Sequence, residues 1–98
     1  MTSGGVVDGE NAGAARRRVV IRNRRGLHAR ASAKLAAVAG EYDAVVRVRR
    51  DDMDVGALSI MGLLMLGAGR GSEIELVATG PQAHAALDAL IQLIEDRF

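Results

Sequence analysis

Residues 43–57 read DAVVRVRRDDMDVGA, and the way this stretch turns back on itself sets the architecture. Ala44, Val46 and Val48 alternate with Val45, Arg47 and Arg49, the two-residue period of a half-buried strand. The acid-rich DDMDVGA that follows reads as a turn and a short third strand, the return leg of a hairpin. At least part of the sheet is therefore antiparallel.

Working outward, RRVVIR (residues 17–22) is a β-branched first strand with Val19 and Ile21 on one face, broken by NRRG. From Ala29 to about Ala39 the sequence favours helix, with Ala31, Leu35, Val38 and Ala39 as an apolar stripe and Gly40 as the stop. Downstream of the hairpin, SIMGLLMLGAGRG (59–71) opens on Ser59, a good N-cap, and forms a short helix that is apolar almost all round before a glycine-rich end. SEIELVAT (72–79) is a fourth strand with Ile74, Leu76 and Ala78 on one face and Glu73, Glu75 and Thr79 on the other. The last helix places Pro81 at its first position and carries Ala83, Leu87, Leu90, Ile91 and Ile94 at helical spacing. The order βαββαβα predicts an α+β domain, an open-faced sandwich in which three helices cover one face of a four-stranded, mostly antiparallel sheet. Residues 1–15, rich in Gly, Ala and small polar side chains, read as a flexible N-terminal tail, leaving 16–98 as one domain.

Composition narrows the function. With 98 residues, 49% hydrophobic and only 2% aromatic, the core must be built from Ala, Val, Leu, Ile and Met. No cysteine is present, so neither disulfides nor thiolate metal sites contribute. No apolar run is long enough for a membrane span and no secretory signal is seen, so a cytoplasmic protein without membrane attachment is expected. The net charge of +1 gives no global reason to bind nucleic acid, and the arginine run lacks the aromatics that stack on bases. That run is nonetheless uneven: Arg16, Arg17, Arg18, Arg22, Arg24, Arg25 and Arg30 follow one another with no acid among them.

His28 lies within this basic segment, directly before a helix. At that position its ring faces unpaired backbone N–H groups, where the helix dipole favours negative charge. A free imidazole ionises near pH 6.5, so its neutral nitrogen is a competent nucleophile at about pH 7. Arg30 can form charge-assisted hydrogen bonds to phosphoryl oxygens, and Arg25 can add to the field. Covalent phosphohistidine fits better than metal binding, because a metal needs further ligands and helix-end amides repel cations. No nucleotide loop, carboxylate pair or Ser/His/Asp set is visible, so neither cofactor nor independent turnover is expected. On residue type and local position alone, a surface histidine without a role is the favoured reading.

The segment GLHARAS (26–32) resembles the phosphorylation signature of the HPr-type phosphocarriers of the bacterial phosphoenolpyruvate-dependent phosphotransferase systems. SIMGLLMLGAGRGSEIEL (59–76) is similar to the second signature of the same family, and the resemblance runs from about Arg17 to Arg97. It implies that His28 accepts a phosphoryl group on Nδ1 from phosphorylated enzyme I and passes it to a IIA domain, for sugar uptake or for a regulatory, nitrogen-type phosphorelay. It implies that Arg30 supports the phosphoryl group. The family's usual proline after that arginine is replaced by Ala31, which predicts a slightly looser first turn. The resemblance further implies that Ser59 is a regulatory site of an HPr kinase/phosphorylase, as in many members.

The helix after Ser59 is too short to bury all its apolar residues. Leu63 and Leu66 are expected in the core, while Ile60, Met61 and Leu64 form an apolar docking patch beside His28, with Met adapting to several partners. A monomer is expected. His84, among alanines of the last helix, has no assigned role. The other class left open by the residues is a regulatory protein-binding module that uses the apolar helix and basic edge without phosphotransfer.

Overall fold

The computed structural model describes residues 14–98, so the segment read as a tail lies outside the described residues up to residue 13. Seven elements follow in the predicted order: β1 (Ala15–Val20), α1 (Ala29–Ala39), β2 (Val45–Arg50), β3 (Met53–Gly56), α2 (Ile60–Met65), β4 (Glu73–Thr79) and α3 (Ala83–Glu95). The strands lie in the order β1-β4-β2-β3, and all three pairings are antiparallel.

The hairpin is as tight as its sequence suggests. Arg50 pairs with Met53 across Asp51 and Asp52, and Asp51 takes the left-handed backbone (φ 56°) that aspartate tolerates in a turn. Val46 and Val48 of β2 point inward together with Val19, Ile74, Leu76 and Ala78, and all six are buried. Across that face α3 contributes Ala83, Ala86, Leu87, Leu90 and Ile94, and α1 contributes Ala31, Leu35 and Ala39. The small alanines allow close helix approach without aromatic filling.

Among the described residues, the opposite sheet face carries no helix. There Arg18 lies 3.3 Å from Glu73, Arg49 lies 3.8 Å from Glu75, and Arg47 and Arg49 both reach Asp54, at 3.0 and 3.1 Å. Burial pushes the Asp54 carboxyl up, but the hydrogen bonds and charges of Arg47 and then Arg49 outweigh it and hold the group below the ordinary carboxylate range.

Two local expectations are corrected. Pro81 is not the first helical residue: Gln82 is the N-cap and α3 starts at Ala83. Gln82 is pinned to the loop before β2, donating N–H to the Asp43 carbonyl at 3.0 Å and accepting the Asp43 N–H on Oε1 at 2.6 Å. The helix can begin only beyond that clamp. Gly40 ends α1 as expected, as its C-cap, with a right-handed backbone (φ −70°). β1 covers Ala15–Val20 and stops short of Ile21 and Arg22. Ile21 stays buried and holds its pairing by two bonds to the loop before β4, its N–H to Ser72 and its carbonyl from Gly71, both 2.8 Å.

Candidate functional site

The approach to His28 is a fixed path. Asn23 turns the chain, accepting the Gly26 N–H at 3.1 Å and donating its own Nδ2 to the Gly26 carbonyl at 2.6 Å. Gly26 follows with φ +67°, and a Cβ there would lie 2.5 Å from the Ala68 carbonyl oxygen and 2.7 Å from Gly69 Cα. Only glycine permits both the left-handed turn and that approach. Leu27, itself buried, then donates its N–H to the Ala68 carbonyl at 2.8 Å. The loop before α1 is thereby fastened to the segment just after α2.

His28 is the N-cap of α1. Its backbone is extended (φ −78°, ψ −176°), and its Nδ1 accepts the Arg30 N–H at 3.2 Å. Accepting at Nδ1 leaves the neutral ring's proton on Nε2. The ring is half-buried, with Nδ1 held at the positive end of an 11-residue helix. No acidic residue lies in the first turn to compete for those N–H groups. Arg30 contributes its amide to His28, while its side chain is exposed.

Three of the neighbouring arginines do not contribute to a free positive field as the sequence suggests. Arg16 lies 3.9 Å from Glu75, Arg18 3.3 Å from Glu73 and Arg22 2.6 Å from Glu95, because the fold sets β4 and the end of α3 against the basic strand. Arg24, Arg25 and Arg30 are exposed and form no ion pair among the described residues. Within the basic segment, the arginines left without an ion pair among the described residues are thus Arg17 on β1 and the three at the turn and helix start around His28.

Ser59 caps α2, its Oγ accepting the Gly62 N–H at 3.0 Å, and it is exposed. Leu63 and Leu66 are buried as expected. Ile60, Met61 and Leu64 are exposed, and the apolar surface extends to Leu58 and Met65 on the same segment. α2 packs against α1, and Arg50 donates from Nη1 to the Leu66 carbonyl at 3.0 Å, tying the end of α2 to the hairpin. His84 is exposed on α3. Among the described residues, no group of three or more His, Cys, Asp or Glu could hold a metal, and no helix is long and apolar enough to cross a membrane.

Ser32 escaped the sequence reading. It is completely buried, and its hydroxyl donates to the Leu27 carbonyl at 3.2 Å. Its signal was periodic: Ser32 lies three residues before Leu35 and seven before Ala39, on the inward stripe.

Residues 15–96 match the model of the PTS HPr component phosphorylation site family. The chain belongs to the HPr family of phosphocarrier proteins. It is 49% identical over 82 residues to the phosphocarrier protein HPr of Cupriavidus necator, covering 84% of this chain and 92% of that protein. It is 45% identical to the phosphocarrier protein NPr of Shewanella violacea, covering 84% and 90%. Among solved structures, HPr-C-His from Thermoanaerobacter tengcongensis superposes with a TM-score of 0.83 at 36% identity, covering 86% of this chain and 94% of that one. The open-faced βαββαβα sandwich is thus the HPr fold, and the HPr family is one of phosphoryl carriers of the phosphotransferase system.

Proposed function

We propose that the protein carries a phosphoryl group on Nδ1 of His28, received from phosphorylated enzyme I and delivered to a IIA domain. The observation that carries this reading is the N-cap geometry of His28, in which Nδ1 presents its lone pair to the helix N-terminus. In the transfer, that lone pair attacks phosphorus as the bond from phosphorus to the donor nitrogen breaks, and the donor keeps the electron pair. Delivery reverses the sequence. The Arg30 N–H must give up that lone pair as Nδ1 bonds to phosphorus, and it can then donate to a phosphoryl oxygen, with the helix dipole adding to the attraction. The Arg30 guanidinium supplies charge-assisted hydrogen bonds from outside.

In this reading Ile60, Met61 and Leu64 are the docking patch for enzyme I and IIA domains, and their exposure beside a packed α1–α2 pair supports the role. Ser59 is the target of an HPr kinase/phosphorylase where the cell has one. A phosphate at that N-cap leaves the fold intact and adds negative charge to the docking face. Whether the cargo serves sugar uptake or a nitrogen-type relay depends on the IIA acceptor. A pure binding module would have no use for a histidine ring with Nδ1 fixed in this way.

The test is intact-protein mass after incubation with enzyme I and phosphoenolpyruvate. One acid-labile phosphate is expected on the wild type and none on His28→Ala. An unchanged level of phosphate on His28→Ala would refute the assignment.

A further inference from the structure

Two bonds from one buried residue bracket the histidine. The conformation of His28 is set by the peptide unit before its Cα and the peptide unit after it. The first carries the Leu27 carbonyl, which accepts the Ser32 hydroxyl at 3.2 Å. The second carries the His28 carbonyl, which accepts the Ser32 backbone N–H at 2.8 Å. Ser32 therefore restrains both dihedral angles of His28 at once. We propose that Ser32 is a positioning residue for phosphoryl transfer, holding the His28 backbone so that Nδ1 stays aimed at the start of α1. The inference rests on the phosphocarrier reading of His28.

Little else in the helix start performs this task. Among the described residues the ring makes one hydrogen bond, to the Arg30 N–H at 3.2 Å, and a single bond at the ring does not fix the backbone that carries it. Residue 31 is alanine, which leaves φ free where a proline would fix it. The position three residues after the cap carries no glutamate or glutamine to reach back to the His28 N–H, so no reciprocal capping box forms. Helices often set the angle of the incoming chain through a hydrophobic contact between the residue before the cap and the fourth helical residue. Here those two residues are Leu27 and Ser32, and a hydrogen bond takes the place of the contact. On its other side Leu27 is fastened to Ala68, so the hydroxyl completes a grip on both ends of one residue.

Ser32 is also not what stability alone would select. Serine is a poorer helix former than alanine, and its hydroxyl is fully desolvated at 0% exposure. In Ser32→Ala the lost hydrogen bond and the gained helix propensity oppose each other, so the variant is expected to fold.

The experiment compares the full-length wild type, Ser32→Ala and Ile94→Val in phosphate uptake from phosphorylated enzyme I. Ile94→Val is a control that loosens the core in α3 while leaving every hydrogen bond of Ser32 and His28 in place. For Ser32→Ala the maximal rate is expected to fall roughly ten-fold with KM unchanged, because aim is lost and docking is not. The ¹⁵N resonance of His28 Nδ1 should shift in the same variant, and Ile94→Val should alter neither readout. A wild-type maximal rate in Ser32→Ala, or an equal fall in Ile94→Val at matched stability, would overturn the positioning role. If the wild type itself takes up no phosphate from an active enzyme I, the phosphocarrier reading fails and the proposal fails with it.

Discussion

Gly26→Ala tests the path into His28 with the smallest possible change. The added methyl group would lie 2.5 Å from the Ala68 oxygen and 2.7 Å from Gly69 Cα, and both neighbours are backbone that cannot rotate away. Holding alanine at φ +67° costs about 1–2 kcal/mol by itself. Relieving the collision moves the loop away from Ala68 and loses the 2.8 Å bond from the Leu27 N–H, worth about 1 kcal/mol net. The sum is about 2–3 kcal/mol, a substantial share of the roughly 5–15 kcal/mol that stabilises a typical domain. Urea unfolding at about 25 °C should show a lower midpoint with an unchanged slope. Amide exchange should show the Leu27 N–H losing protection while the β4 amides keep theirs relative to the new global stability. A cost under about 0.5 kcal/mol with Leu27 still protected would mean that the contact does not constrain the loop.

Further outcomes follow from the docking helix and the charged sheet face. Ser59→Asp and Met61→Asp should each slow transfer from enzyme I several-fold without lowering stability, since aspartate still caps a helix and Met61 is 69% exposed. A wild-type rate in both would remove α2 from the docking face. Leu63→Ala on the same helix, completely buried, should instead cost about 2–5 kcal/mol in urea unfolding, and a cost under about 1 kcal/mol would contradict its core position. Because the Asp54 carboxyl is held below its ordinary range, its stabilisation is present above the unfolded value of about 3.9 and is lost as pH falls through the folded value. Asp54→Asn should therefore cost a few tenths of a kcal/mol near pH 7, limited by solvent screening of a side chain that is 41% exposed. That cost should fade toward pH 3, and the same cost at both pH values would refute the pairing argument.

The parts of this fold legible in the sequence were those with a clear period. The alternation of Val46 and Val48 with arginines, and the spacing of Leu87, Leu90 and Ile94, report which side faces the core, and the sheet and α3 follow that report. Pro81 misled because its place depends on a clamp between Gln82 and Asp43, residues far apart in the chain. The arginine run misled for the same reason: Glu73, Glu75 and Glu95 neutralise Arg18, Arg16 and Arg22 only after the strands pair and α3 docks. At the site, the positions of His28 and Ser59 at helix starts were legible from the sequences that follow them, while the role expected of His28 came from the GLHARAS resemblance. Ser32 was passed over because a serine among alanines reads as polar surface, although its spacing to Leu35 and Ala39 puts it on the inward stripe. Gly26 reads as a simple breaker, and its closeness to Ala68 and Gly69 belongs to tertiary structure alone.

The central claim is that Nδ1 of His28 is the atom that carries phosphorus. Heteronuclear NMR of the ¹⁵N-labelled protein, charged by enzyme I and phosphoenolpyruvate, reads this directly through the one-bond coupling between nitrogen and phosphorus. The account predicts coupling to Nδ1 of His28, together with a shift of the Arg30 amide as its hydrogen bond passes from the ring to a phosphoryl oxygen. Coupling to Nε2, to His84, or to no histidine in a protein shown to be charged would contradict it.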